Sequence, residues 1–163
     1  MKKSIFWLFA ALFLACGPRP GRALEWRTDL EQAAADARQN GRHLLLNFSG
    51  SDWCGWCKKL DGEVFSQPAF QEYAASNLVA VLADFPRRTP QDEALRAQNE
   101  RLLKRFAVQG FPTVLLFGPE GELAGELGYQ PGGPEAFIRS IQQAISRHGM
   151  RSPDLPPGPR LLP

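Results

Sequence analysis

The chain has 163 residues, 44% of them hydrophobic and 22% charged, with a formal net charge of +2. That is material for one domain with a buried core, not for a cross-linked miniature or a disordered chain. Lys2, Lys3, Arg19 and Arg22 fall within the first 23 positions with no acid among them, so the remainder has no basic excess and lacks the footprint of a binder of nucleic acid or anionic membrane surfaces.

The chain opens with MKK, an apolar run over 5–15 and then CGPRPGRA. A basic head and roughly a dozen apolar residues fit a secretory signal and fall short of the roughly 20 needed to span a bilayer. Two endings fit. Gly21 and Ala23 are small residues three and one positions before a cut at Leu24, which gives a signal peptide over 1–23. Alternatively, FLAC at 13–16 resembles the lipobox of bacterial lipoproteins, with the signal ending at 15 and Cys16 carrying a lipid anchor. Either way the expected location is periplasmic or otherwise extracytoplasmic, with a domain over 24–149.

Positions 28–40 predict a helix, with Thr28 and Glu31 as a capping box, Leu30, Ala33, Ala34 and Ala37 on one face, and Gly41 to end it. HLLLNF at 43–48 predicts a buried strand. SDWCGWCKK follows at once, and then helical character over 58–65. Ser66 and Pro68 open a short helix through Ala75. LVAVLADF at 78–85 is apolar at consecutive positions and predicts a strand covered on both faces. A basic turn over 86–90, with Arg87 and Arg88, leads to a helix over 91–106 with Leu95, Leu102, Leu103 and Phe106 on one side. TVLLF at 113–117 and ELAGELG at 122–128 flank GPEG and predict a hairpin. A last helix over 134–148 turns Phe137, Ile138, Ile141, Ala144 and Ile145 inward. The tail over 150–163 holds five prolines and is expected to be extended or disordered. Strands interleaved with helices and closed by a hairpin predict an α/β layered sheet with helices on both faces.

With Cys16 lipidated or removed, Cys54 and Cys57 are the remaining thiols. A bridge closing so short a loop restrains the unfolded chain very little, so a purely stabilising role explains almost nothing. Their place between the end of a strand and the start of a helix explains more. Backbone N–H groups and the positive helix end would stabilise a Cys54 thiolate and make it the attacking group. Cys57, one helical turn on and expected to be more buried, would resolve the mixed disulfide. Gly55 and Trp56 would tune how readily the pair oxidises. Trp53 would shield the thiolate, meet a partner or pack in the core, and Lys58 and Lys59 would add positive charge. A zinc site needs two further ligands, and neither His43 nor His148 has ligand spacing to another candidate. Covalent haem attachment needs a histidine where Lys58 stands. No metal and no cofactor is expected.

WCGWCK at 53–58 together with GFPT at 110–113 resembles the thioredoxin family, in matching element order over 24–148. The resemblance implies a thioredoxin fold with a central mixed sheet of four to five strands, a thiol–disulfide oxidoreductase activity, and protein disulfides and thiols as partners. It also implies that Pro112 is cis and faces a Cys54–Cys57 disulfide, and that the Phe111 backbone pairs with the substrate chain. Trp53, Gly55 and Trp56 complete the implied substrate-binding set. Two departures stand out. The buried acid that thioredoxins carry ahead of the cysteines aligns with Asn47, which does not titrate, leaving Asp52, Glu63 or water for its role. Gly55-Trp56 also replaces the usual Gly-Pro. GSDWCGWCKKL is more similar to exported proteins related to disulfide-interchange reductases, which implies a reductase supplied by a membrane-linked thiol donor. A disulfide oxidase or isomerase, or a non-catalytic binding or chaperone module on the same fold, are the alternatives that remain open.

Overall fold

Strands β1 (Trp26–Arg27), β2 (His43–Ser49), β3 (Leu78–Asp84), β4 (Thr113–Phe117) and β5 (Leu123–Leu127) form one mixed sheet in the order β1-β3-β2-β4-β5. The computed structural model describes residues 24–150 and 159–162, so residues 1–23, on which the expected signal and Cys16 fall, and residues 151–158 and 163 of the tail lie outside the described residues. β1 and β2 run parallel to β3, whereas β4 is antiparallel to β2 and to β5. The sheet is the mixed one expected, with five strands.

β2 and β3 read as unbroken apolar runs because both of their faces are covered. Helices α1 (Leu30–Gln39) and α4 (Glu93–Arg105) lie on one face, over Leu44, Leu46, Phe48, Val79, Val81, Leu115 and Phe117. Helices α2 (Gly55–Leu60), α3 (Pro68–Asn77) and α5 (Gly133–Gly149) lie on the other, over Leu45, Leu78, Val114 and Leu116. Local signals set their ends. The Asp29 side chain caps α1 by accepting from Gln32 N at 3.0 Å, one residue later than the expected cap at Thr28. Asp92 caps α4 through Leu95 N at 3.0 Å, and Pro68 opens α3 where its missing N–H costs nothing.

The helix after the cysteines starts earlier than expected, at Gly55, and widens into a π-helical turn over Asp61–Phe65 closed by Ser66 N on Asp61 O at 2.8 Å. The wider turn lets Val64 and Phe65 both face inward. The Phe65 ring meets those of Phe70 at 5.0 Å, Phe137 at 5.6 Å and Trp26 at 5.1 Å. At about 0.5–1.5 kcal/mol per pair beyond simple burial, this cluster anchors the segment behind the cysteines to α3, α5 and the sheet edge.

Residues 159–162, the described part of the tail expected to be extended or disordered, dock on the hairpin. Leu161 N donates to Gly121 O at 2.7 Å, and Leu123 N donates to Pro159 O at 3.2 Å. Arg105 clasps Arg160 O from Nε at 3.1 Å and Nη2 at 2.8 Å. The Leu161 side chain is buried in the core beneath α1 and α4, so hydrophobic burial overrides the flexibility that the prolines suggest.

The pairing of Ser49 with Asp84 matters most for function, because it ends the two parallel strands at the same level. The segments that follow β2 and β3 therefore emerge side by side.

Candidate active site

Cys54 sits at the cap position of α2 with extended backbone (φ −80°, ψ 107°), and its N–H donates to Gly50 O at 2.8 Å. This turn places the first free N–H groups of the helix around the sulfur: Cys57 N donates to Cys54 Sγ at 3.2 Å. Cys54 and Cys57 are joined in a disulfide, with Cα atoms 5.3 Å apart. Both residues are only 6% exposed, so Cys57 is not the more buried of the two, contrary to expectation.

The GFPT segment reaches the same place from the other side. Antiparallel pairing sets Thr113 opposite Phe48, so the chain ahead of β4 leaves the sheet at the cysteine end. The Phe111–Pro112 peptide is cis, and Thr113 Oγ1 donates to Gly110 O at 2.8 Å across that turn. The Phe111 ring stands edge-on to Trp53 at 5.8 Å and stacks on Phe85 at 5.1 Å. Thus Phe111, joined to Pro112 by the cis peptide, meets Trp53, the residue before Cys54. Gly55 and Trp56 begin α2 directly after Cys54, and Trp56 is 58% exposed.

A network binds the cysteine loop to the segment after β3. The Asp84 carboxylate accepts from Ser51 N at 2.8 Å, Ser51 Oγ at 2.6 Å and Phe85 N at 3.0 Å. The Asp52 carboxylate accepts three successive backbone N–H groups, those of Arg87 at 3.0 Å, Arg88 at 2.6 Å and Thr89 at 3.1 Å. The Arg87 N–H, then those of Arg88 and Thr89 and the Arg88 charge, hold this carboxyl below its ordinary range against the opposing effect of desolvation. Trp53 Nε1 donates to Phe85 O at 2.7 Å, and the Arg87 guanidinium lies 3.7 Å from the Trp53 ring centroid. The Phe48 ring, 6.4 Å from Phe85, backs the aromatic group from within the sheet.

On the opposite flank Tyr129 packs on Trp56 at 5.1 Å and donates to Glu63 Oε2 at 2.7 Å. Lys59 Nζ lies over both rings, 5.2 Å from Trp56 and 5.0 Å from Tyr129, and 3.8 Å from Glu63 Oε1. The Tyr129 hydroxyl, then the Glu63 carboxylate, raise the Lys59 ammonium above its ordinary range.

Asn47 is 6% exposed, and among the described residues its Oδ1 has no hydrogen-bond partner. Neither Asp52 nor Glu63 replaces a buried acid here, since both spend their carboxylates at the surface. His43 and His148 lie at the far end of the sheet, where His148 Nε2 meets Glu122 Oε1 at 3.1 Å. Burial, then the His148 charge, lowers the His43 pKa, with Glu122 opposing. Asp84, Phe85 and Tyr129 are site residues that the sequence reading missed. The first two were accessible from the parallel pairing of β2 and β3; Tyr129 carried no local signal.

The profile of the thioredoxin-like domain matches residues 30–145. The chain belongs to the thioredoxin family. With its paired cysteines it is a thiol–disulfide oxidoreductase of the thioredoxin-like kind. The disulfide bond reductase DsbH of Chlamydia pneumoniae is 32% identical over 122 residues, which cover 75% of this chain and 73% of that one. The thiol:disulfide interchange protein DsbD of Klebsiella pneumoniae is 36% identical over 98 residues, 60% of this chain but 14% of DsbD. A solved structure of DsbH oxidoreductase superposes with a TM-score of 0.74 at 30% identity, over 83% of this chain and 92% of that one. The C-terminal domain of Neisseria meningitidis DsbD in its reduced form shares the fold, with a TM-score of 0.53 at 22% identity over 71% of this chain and 93% of that one.

Proposed function

We propose that this chain is an extracytoplasmic reductase of protein disulfides, refilled with electrons by a membrane-linked thiol donor. The carrying observation is the Cys57 N–H aimed at Cys54 Sγ at the helix start, beside the Phe111–Pro112 turn. When the pair is reduced, that N–H and the helix end favour a Cys54 thiolate. The thiolate attacks one sulfur of a partner disulfide; a Cys54–partner S–S bond forms, the partner's bond breaks, and its other sulfur leaves and takes a proton. Cys57, deprotonated, then attacks Cys54 Sγ and releases the second partner thiol. Two electrons pass to the partner, and the dithiol becomes the Cys54–Cys57 disulfide. Trp53, Gly55, Trp56, Phe111 and Pro112 form the substrate-facing surface in this reading.

The reducing direction is supported by the likeness to a relative named as a disulfide bond reductase. Export is supported by the MKK head and the apolar run over 5–15. Cleavage before Leu24 would release a soluble domain over 24–149, and lipidation at Cys16 would hold that domain near a membrane donor. Mass spectrometry of the mature N-terminus separates these two forms.

The equilibrium reduction potential of the pair in the mature protein tests the direction. A value near that of thioredoxin, about −270 mV, is expected; a value near about −120 mV would point to disulfide formation or isomerisation instead. An absence of reversible exchange would leave a binding or chaperone module.

A further inference from the structure

The two flanks of the cysteine pair differ in how their charge is used. On the Trp56 side, Lys59 faces Glu63 and the flank is neutralised. On the Trp53 side stand Arg87, Arg88 and Lys58, none of which makes an ion pair among the described residues. The nearby acids are turned to other work: Asp52 and Asp84 direct their carboxylates at backbone N–H groups and at Ser51. The Arg87 main chain is thereby pinned, and its guanidinium lies over the Trp53 ring, 3.7 Å from the centroid. Its side-chain N–H donors make no hydrogen bond among the described residues, although the side chain is exposed and held in place. A planar fork of free donors, ordered before binding, matches a carboxylate and loses little freedom on meeting one.

We propose that Arg87 is a specificity-determining residue that takes a carboxylate of the protein substrate, so that this oxidoreductase favours disulfides flanked by acidic residues. Arg88 and Lys58 extend the cationic rim. The substrate chain lies with its acidic part over the β3–α4 loop and with an apolar part toward Trp56 and Tyr129. This inference rests on the reductase reading, and the experiment below separates the two.

Reduced protein is mixed with three disulfide peptides that differ only in flanking Glu, Gln or Lys residues, and with bis(2-hydroxyethyl) disulfide as a neutral small reference. Thiol release gives the second-order rate constants. At about 0.01 M salt the Glu peptide should react on the order of tenfold faster than the Gln peptide, and the Lys peptide more slowly than either. The advantage should shrink at about 0.1 M salt, where the screening length falls from about 30 Å to about 10 Å. In Arg87→Gln the Glu-to-Gln ratio should fall toward one; because the ratio is taken within one variant, a change in intrinsic cysteine reactivity cancels. Equal rates for the three peptides in the unsubstituted protein, or a ratio that survives Arg87→Gln, would overturn the proposal alone. No thiol release from any substrate, the neutral reference included, would overturn the reductase reading and the proposal with it.

Discussion

Trp53 Nε1 donates to the carbonyl oxygen of Phe85 at 2.7 Å, tying the residue before Cys54 to the first residue after β3. The indole can lie there because Gly50 has no side chain: a Cβ at that position would sit 2.5 Å from Trp53 Cε2 and 2.6 Å from Nε1. Gly50→Ala must push the ring away and strand the Phe85 carbonyl. A loss of about 1–3 kcal/mol is expected from the forced repacking, with a red shift in tryptophan emission. Urea unfolding followed by fluorescence checks both; an unchanged midpoint with an unchanged spectrum would show that the ring is not confined.

The two cysteines should separate cleanly by substitution. Cys54→Ser is expected to remove disulfide exchange altogether. Cys57→Ser should still attack and then stop, accumulating a mixed disulfide whose mass is that of the protein plus one half of the substrate. Intact mass spectrometry after mixing with a peptide disulfide reads this directly. The opposite pattern, with trapping in Cys54→Ser, would reverse the assigned roles.

Asp52 provides a pH signature. Its folded-state pKa lies below the ordinary value of 3.8, chiefly because the Arg87 N–H bonds the ionised carboxylate. A depressed carboxyl pKa contributes stability above the unfolded value, and that contribution is lost as pH falls through the folded value. Asp52→Asn should therefore be less stable than the parent at neutral pH, and the gap should close below about pH 4. Paired denaturation curves across that range test it; a gap independent of pH would mean that the charge on Asp52 is not what the loop uses.

The docked tail predicts a stability effect far from the cysteines. Leu161 is 2% exposed within the core under α1 and α4. Leu161→Ala should cost about 2 kcal/mol or more, the lower end for truncating a buried leucine. The rate of exchange with a small disulfide should not change. Chemical denaturation and a thiol-release assay on one preparation measure the two quantities, and a fall in both together would argue that the two ends of the domain are coupled.

Much of this molecule was legible in the sequence because its signals are local. Strands covered on both faces must be apolar at consecutive positions, and β2 and β3 are. The cysteines lie within one turn of each other, whereas the place of GFPT came only from the resemblance to the thioredoxin family. What escaped depended on topology. Asp84 and Phe85 become site residues only because β2 and β3 run parallel and end together. Tyr129 reaches the site through the segment beside Pro112, where a Cβ on Gly128 would lie 3.7 Å from Pro112 O. β1, two residues long, is too short for any periodicity to show. The docking of 159–162 left no mark in composition, where five prolines outweigh one leucine, whereas in the fold Leu161 finds a core position. Asn47 was singled out by position, but only the structure shows that its buried Oδ1 is left without a partner.

The seat of Leu161 also bears on when the domain can finish folding. The core beneath α1 and α4 draws members from Leu30 through to Leu161, so during synthesis that layer lacks its Leu161 member until residues 159–162 arrive. The cysteines will have emerged about a hundred residues earlier. During that interval two thiols wait at the edge of an unfinished domain, and whichever redox agent meets them first writes their initial state.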